Sequence, residues 1–165
     1  MDIGQFTFRQ IDAETKIKSF DCGDADLNDF LLSEAVNYFK SMMALTYLLE
    51  DDKADKTVAY FSLLNDKVVF DPDEKKKWNK LNRKVTNAKR RKEYPAVKIG
   101  RLAVSKEYEG QHIGREILLL IKHMFFVMRR SACRFLTVDA YSEAVPFYEK
   151  CGFEFLSDKD ADKPT

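Results

Sequence analysis

The sequence predicts an α/β fold in which a single mixed central sheet is flanked by helices. Apolar runs of strand length recur along the chain, and two longer segments carry apolar residues at helical spacing. In the second half strands and helices alternate, which is typical of a crossover unit with parallel strands. The chain has 165 residues, which suits one domain. We therefore expect residues 1–165 to form that domain, with a basic excursion at about residues 71–95.

The first half is predicted to contribute a strand, a helix and a hairpin. Residues 6–11 alternate as a strand does, and residues 24–40 place apolar side chains on one helical face. Residues 44–49 and 57–64 are apolar runs on either side of an acidic turn. We expect these runs to pair as a hairpin that residues 68–70 extend.

The second half is predicted to contain three strands and two helices. Residues 97–104 form the strongest strand candidate, and Gly100 within them indicates a bulge or a close backbone approach. The helix after Gly114 is apolar nearly all round, which predicts burial on more than one side and suits a homodimer. Residues 134–140 and 153–155 follow as strands, with a short helix between them.

Composition excludes several classes of protein. Hydrophobic residues make up 45% of the chain, which is enough for a core, so wholesale disorder is not expected. No stretch is apolar for the ~20 residues of a membrane span, and the N-terminus lacks the layout of a signal peptide. The three cysteines show no paired spacing and the two histidines cannot form a His-rich site. We therefore expect reduced thiols, no metal and a cytoplasmic location.

Charge is distributed unevenly, although the net charge is only +1. Residues 75–92 contain ten Lys or Arg residues and no acid. One interpretation is a solvated surface. The other is an arm that contacts nucleic-acid phosphates, with Trp78 and Tyr94 able to stack on bases. For the second interpretation, the candidate nucleic-acid contacts are Lys89, Arg90, Arg91 and Lys92.

A loop with two glycines, EGQHIG at residues 109–114, joins the strand candidate 97–104 to the apolar helix. One interpretation is a plain connection, because such turns need residues that tolerate a positive φ. The other is an anion site. The first amides of a helix lack intrahelical partners and, together with the helix dipole, form a cradle for phosphate. Gly110 and Gly114 would keep side chains out of that cradle.

The loop and a downstream segment together resemble the GNAT superfamily of N-acetyltransferases. The matching pieces are residues 102–104, the loop 109–114 and residues 144–153, which read AVPFYEKCGF. The resemblance implies a GNAT-like acyltransferase fold, acetyl-CoA as co-substrate and transfer of an acetyl group to a primary amine. It implies that the cofactor lies against Leu102, Ala103, Val104, Glu109, Gly110, Gln111, His112, Ile113, Gly114 and Arg115.

Two residues depart from the loop of the family, which begins with Gln or Arg and has glycine at its fourth position. Glu109 and His112 occupy these positions here. A backbone cradle tolerates both, but a negative charge beside it would weaken cofactor binding. A second function class therefore stays open, a nucleic-acid-binding module on a degenerate acetyltransferase fold.

Residues 20–31, 59–63 and 100–104 resemble the branch of the superfamily that contains toxin acetyltransferases. This resemblance implies that the favoured acceptor is the amino group of aminoacyl-tRNA. It also implies a toxin–antitoxin pair, in which the partner is a small DNA-binding antitoxin. Small-molecule or protein amines are the alternative acceptors.

Tyr148 is the candidate catalytic residue. In the resembling families this position carries the general acid that faces the thiol sulfur, and a tyrosine hydroxyl with a pKa near ~10 is protonated at neutral pH. The alternative is a core ring packed with Phe147 and Phe153. The sequence indicates no general base. An α-amino group with a pKa of about 8 needs none, because part of it is neutral at pH 7. Cys151 is expected to be a small buried residue.

Overall fold

The protein is represented by a computed structural model, in which residues 3–83, 85 and 92–157 are described. Its strands are β1 (Thr7–Gln10), β2 (Leu45–Asp51), β3 (Lys56–Val69), β4 (Glu93–Val104) and β5 (Phe135–Val138). Its α-helices are α1 (Ala25–Asp29), α2 (Ala35–Lys40), α3 (Lys75–Asn82), α4 (Ile113–Lys122) and α5 (Val145–Lys150). A π-helical turn, Phe30–Glu34, joins α1 to α2, and another, His123–Val127, continues α4.

The five strands form one mixed sheet in the order β1-β2-β3-β4-β5. Neighbouring strands are antiparallel except β4 and β5, which are parallel and connected through α4. The predicted hairpin is confirmed as β2 and β3, and β3 runs unbroken as far as Val69. The prediction of an α/β fold with a crossover in its second half is therefore confirmed.

Strand β4 begins earlier than the sequence suggests. It starts at Glu93 rather than at residue 97, because the long β3 offers it partners as far as Val69. Pro95 therefore lies inside the strand and does not mark its start. The missing amide is tolerated because pairing with β5 begins one residue later, at Ala96.

The strand predicted at residues 153–155 does not form. The Phe153 amide instead donates to the Tyr148 carbonyl at 3.0 Å, in the turn that ends α5. The ring of Phe153 packs edge-on against Tyr148, with centroids 5.4 Å apart. This local packing holds residues 153–155 against α5, and these residues pair with no strand.

Gly100 forms the bulge that its position in the sequence predicts. The register of β3 against β4 shifts between Ser62 and Leu63, and Gly100 is the residue of β4 that is left over there. A β-carbon at Gly100 would lie 2.6 Å from Cδ2 of Leu64, so a larger residue would displace that side chain. The bulge changes which side chains of β4 point to which face of the sheet.

Helices cover both faces of the sheet. On one face, the α4 face, Ile117 and Ile121 of α4 pack in a core cluster with Phe61 of β3. On the other, the α1–α2 face, Phe30 packs in a second cluster with Tyr60 of β3. Within the described residues, no helix has the length and apolarity that crossing a bilayer requires.

The predicted helix over residues 24–40 is confirmed, although it contains a π-helical turn. The Asp24 carboxylate begins it by accepting hydrogen bonds from the amides of Asp26 and Leu27. The Leu27 carbonyl accepts a hydrogen bond of 2.7 Å from the Tyr60 hydroxyl, shortly before the π turn starts. Turns of this kind are rare and are frequently found at functional sites.

The aromatic residues of the basic segment are core residues, so the interpretation in which they could stack on bases does not hold. Trp78 is 7% exposed and Tyr94 is 2% exposed, with ring centroids 5.2 Å apart. The ring of Phe70 also packs against Trp78, with the two ring centroids 5.5 Å apart. Burial leaves these rings no free face for a base. The cluster instead holds α3 on the sheet, with Lys75 and Lys80 exposed on the outer side of the helix.

Candidate active site

A groove of about 570 Å³ opens where the end of β4 meets the N-terminus of α4 and the side of α5. Eight of the ten residues that the resemblance assigns to the cofactor line this groove. They are Leu102, Val104, Glu109, Gly110, His112, Ile113, Gly114 and Arg115. The structure therefore brings together the strand, the loop and the downstream helix on which the resemblance rests.

The sheet opens at this groove because β5 is short. β5 pairs with β4 only from Ala96 to Ile99, whereas β4 continues to Val104. Over residues 100–104, the only strand beside β4 in the described part of the chain is β3. The backbone groups of the other edge can therefore pair with an extended ligand, as they would with an added strand. Leu102 stands on this free edge and also lines the groove.

The loop from Glu109 to Gly114 enters α4 through two residues with positive φ. Gly110 has a φ of 73°, and His112 has a φ of 61° and a ψ of 13°, in the left-handed region. His112 is the N-cap residue, and its side chain makes no capping hydrogen bond. A helical hydrogen bond of 3.2 Å runs from the Glu116 amide to the His112 carbonyl. The amides of the first turn, which precede Glu116, therefore remain available to an anion.

Gly114 permits a close approach between the elements that form the groove. A β-carbon at this position would lie 3.2 Å from Cζ of Phe147 and 3.9 Å from Cδ2 of Leu102. The absence of a side chain thus lets the first turn of α4 pack against α5 and β4. A larger residue would push the ring of Phe147, which is itself a wall of the groove.

Two of the predicted cofactor residues do not line the groove. Ala103 is buried on the α1–α2 face, because neighbouring residues of a strand point to opposite faces. Gln111 carries a buried side-chain oxygen, Oε1, without a hydrogen-bond partner, the only such side-chain atom in the described part of the chain. An unpaired buried acceptor of this kind costs about 1–3 kcal/mol. The loop therefore contains an unpaired buried acceptor at Gln111 as well as the left-handed residue His112.

Comparison with known proteins identifies this arrangement. Residues 85–163 match the family described as acetyltransferase (GNAT) domain. This segment, just under half of the chain, is therefore similar to a GNAT acetyltransferase domain. The match includes β4, α4 and α5, which together form the groove. The resemblance seen in the sequence and the classification as an acetyltransferase are both confirmed.

Solved structures with the same fold extend the similarity beyond this acetyltransferase domain to most of the chain. A tyrosine-to-phenylalanine mutant of KacT has a TM-score of 0.74 at 23% identity, over 94% of this chain and 91% of that chain. A similar mutant of the toxin AtaT, bound to the C-terminus of the antitoxin AtaR and acetyl-CoA, has a TM-score of 0.69 at 21% identity, over 94% and 88%. AtaT complexed with acetyl-methionyl-tRNAfMet has a TM-score of 0.68 at 21% identity, over 90% and 86%. These matches confirm the GNAT-like fold.

Tyr148 of the acetyltransferase domain lies on α5, next to the groove residue Phe147. Its ring is 8% exposed and makes edge contacts with Phe147 and Phe153, at centroid distances of 5.1 and 5.4 Å. Burial, and after it the neighbouring Cys151, raises the pKa of Tyr148 to about 12. The hydroxyl therefore stays protonated at neutral pH, as a proton donor must. The same packing shows that Tyr148 is also a core residue, so the two interpretations of the sequence are compatible.

Four residues of the groove were not among the predicted cofactor contacts, namely Tyr108, Phe147, Lys150 and Cys151. Three of them follow the spacing i, i+3 and i+4 along α5, so helical periodicity could have found them. Cys151, which was expected to be buried, is half-buried in the groove wall because it ends that helix. Tyr108 donates a hydrogen bond of 3.1 Å to Asp51, a contact that no sequence pattern indicates.

Neither acid that lies close to the site in sequence is placed as a general base. Asp139 forms an ion pair of 2.8 Å with Lys98, and Glu143 is exposed in the turn before α5. Within residues 3–83, 85 and 92–157, no group of three or more His, Cys, Asp or Glu side chains could hold a metal ion.

Three of the four predicted nucleic-acid contacts, Lys89, Arg90 and Arg91, lie outside the described residues. Lys92 is exposed directly before β4, and its carbonyl accepts a hydrogen bond of 2.7 Å from the Phe70 amide. The backbone of Lys92 therefore lies beside Phe70, whose ring packs against Trp78 of α3.

Proposed function

We propose that this GNAT acetyltransferase uses acetyl-CoA and that its favoured acceptor is the amino group of aminoacyl-tRNA. The observation that carries the proposal is the groove in which the free edge of β4 meets the uncapped N-terminus of α4. The choice of acceptor is supported by a fold neighbour, AtaT, whose structure is complexed with acetyl-methionyl-tRNAfMet.

The residues of the groove fit the parts of acetyl-CoA. The amides that open α4 suit a diphosphate, and Arg115 adds positive charge at the same end of the groove. The free edge at Leu102 and Val104 suits the peptide-like arm of the cofactor. Glu109 opposes this fit in part, because it brings a negative charge to the groove. Bound there, acetyl-CoA supplies the activated acetyl group.

Tyr148 holds the proton that the departing sulfur needs. Because its pKa is raised to about 12, the hydroxyl is neutral over the whole physiological range. Transfer forms a carbon–nitrogen bond to the acceptor and breaks the carbon–sulfur bond. The hydroxyl proton passes to the sulfur, and the proton that the acetylated nitrogen gives up restores the hydroxyl. The acceptor needs no side-chain base, because an α-amino group with a pKa near ~8 is already partly neutral at pH 7.

An acceptor carried on tRNA gives the basic residues of the chain a role. The exposed lysines of α3 and the exposed Lys92 would hold phosphates while the amine reaches the groove. By similarity to AtaT, which is bound to the antitoxin AtaR, the proposal includes an antitoxin partner. It also keeps the cytoplasmic location that the sequence predicts. The exposed apolar side chains of Phe126, Val127 and Met128, after α4, suit contact with a second copy of the chain.

Mass spectrometry of total tRNA, incubated with the protein and acetyl-CoA, tests the proposal. We expect an acetyl group on the amino acid of one or more aminoacyl-tRNAs. The matched control is Gly114→Glu, which places bulk and negative charge where the first turn of α4 meets Phe147. Acetylation by Gly114→Glu at the wild-type rate would contradict the assignment of the groove.

Calorimetry with acetyl-CoA separates the alternatives. Micromolar binding together with acetylated tRNA supports the proposal as stated. Binding of acetyl-CoA without acetylated tRNA would favour small-molecule or protein amines as acceptors. No binding at high concentration would favour a nucleic-acid-binding module, in which Glu109 and His112 mark a lost cofactor site.

A further inference from the structure

The bulge at Gly100 turns Arg101 toward the α1–α2 face. In a regular strand, residues two apart share a face, so Arg101 would lie on the α4 face together with Ile99. The extra residue reverses this alternation. Ile99 and Leu102 consequently pack on the α4 face, while Arg101 and Ala103 belong to the α1–α2 face.

Aromatic rings hold the side chain of Arg101 in place. Its guanidinium carbon lies 3.7 Å from the ring centroid of Phe30 and 5.9 Å from that of Tyr38. Phe30 is the first residue of the π-helical turn between α1 and α2. In the described part of the chain, no hydrogen bond or ion pair engages this guanidinium. Arg101 is thus a half-buried, permanently charged group that is oriented by packing and keeps its donors unused.

Arg101 adjoins the groove residue Leu102 along the free edge of β4, while its guanidinium lies on the opposite face of the sheet from the groove. Pairing with β5 ends at Ile99, so no described strand covers that edge over residues 100–104. Leu102, which lines the groove, is the residue after Arg101 in the chain. Helices α4 and α5 already occupy the α4 face. With the cofactor arm along the free edge, an acceptor would therefore meet the acyl group from the α1–α2 face, on which Arg101 lies.

We propose that Arg101 is a specificity-determining residue that binds a phosphate of the acceptor, close to the reacting amine. The inference rests on the proposed function, because an amine carried on a nucleic acid has such a phosphate and a small free amine does not. The planar fork of arginine matches a phosphate with two parallel hydrogen bonds. Stacking on Phe30 fixes the plane of that fork in advance, so little side-chain freedom is lost when the phosphate binds.

A pair of matched acceptors tests this inference. Each is a non-hydrolysable 3′-aminoacylamino-adenosine that carries the amino acid found in the tRNA assay, and only one of the two has a 5′-phosphate. The wild type should prefer the phosphorylated acceptor in kcat/KM by about tenfold to a hundredfold, the range for hydrogen bonds to charged groups. Arg101→Met should remove this preference. Arg101→Lys should keep part of it, because the charge stays while the fork is lost.

Arg134→Met is the matched control. Arg134 also lies over an aromatic ring, 6.0 Å from the centroid of Phe135, but it precedes β5 and does not line the groove. It should keep the wild-type preference. Damage to the fold would lower turnover with both acceptors alike. The ratio of kcat/KM for the phosphorylated acceptor to that for the unphosphorylated one therefore isolates the phosphate contact.

The outcomes separate this inference from the proposed function. If aminoacyl-tRNA is acetylated but Arg101→Met keeps the wild-type ratio, the inference is overturned and the proposed function stands. A wild type without any preference for the phosphorylated acceptor overturns it as well. If no aminoacyl-tRNA is acetylated, the proposed function fails first and the assignment of Arg101 fails with it.

Discussion

Replacing His112 by glycine should stabilise the protein. His112 has a φ of 61° and a ψ of 13°, a left-handed conformation that costs a residue with a β-carbon about 1–2 kcal/mol. Glycine avoids this cost but makes the unfolded chain freer, which costs about 0.4–1 kcal/mol. The difference is a net gain of about 0.5–1 kcal/mol. For a chain of this length that gain raises the melting temperature by about 1–4 °C.

His112→Ala is the control, because alanine removes the imidazole ring but keeps the β-carbon in the left-handed region. Thermal unfolding of the two variants should therefore place His112→Gly above both the wild type and His112→Ala. Binding of acetyl-CoA to His112→Gly should be at least as tight as in the wild type, since the anion site uses backbone amides. If His112→Gly melts no higher than His112→Ala, the strain at this position does not limit stability and the reasoning is refuted.

Three other perturbations probe the cofactor, the proton donor and the basic segment. Gly114→Glu should abolish the rise in melting temperature that acetyl-CoA causes, and an unchanged ligand response would move the anion site elsewhere. Tyr148→Phe should lower turnover about ten- to ten-thousandfold, with little change in acetyl-CoA affinity by calorimetry. Tyr148 also links stability to pH. The pKa of its hydroxyl is 10.0 in the unfolded chain and about 12 in the folded protein. The contribution of this hydroxyl to the free energy of unfolding is therefore full below pH 10 and is lost as the pH rises toward 12. Urea titrations over this range should show a shallower loss for Tyr148→Phe than for the wild type. Neutralising the basic quartet should lower the log–log salt slope of tRNA binding by about 0.7–0.9 per lost contact, while transfer to a small free amine is unchanged. That quartet is Lys89, Arg90, Arg91 and Lys92.

The framework of the fold could be predicted because it depends on local patterns. The period of the apolar residues distinguished strands from helices, and the alternation of the two in the second half predicted the parallel crossover. Gly100 indicated a bulge because a strand of otherwise large residues has little reason to contain a glycine. The loop at residues 109–114 could be assigned to the groove because it lies between a strand and a helix.

The remaining features depend on partners that are distant in sequence. Strand β4 begins at Glu93 because β3 is long enough to pair with it, and nothing within residues 93–96 reveals the length of β3. The burial of Trp78 depends on Phe70 and Tyr94, which its lysine-rich surroundings do not indicate. The face on which Arg101 lies depends on which residue of β4 is left unpaired by β3.

The burial of Trp78 has a spectroscopic consequence. Trp78 is the only tryptophan of the chain, so excitation at the red edge of protein absorbance reports on one place in the molecule. That place is the seam between α3 and the sheet, whereas the groove contains no tryptophan. A red shift in emission, or a gain in quenching by acrylamide, would therefore signal that the lysine-bearing helix has lifted from the sheet. Ligand binding in the groove alone should leave the emission unchanged. One fluorescence measurement therefore distinguishes groove binding from the lifting of α3.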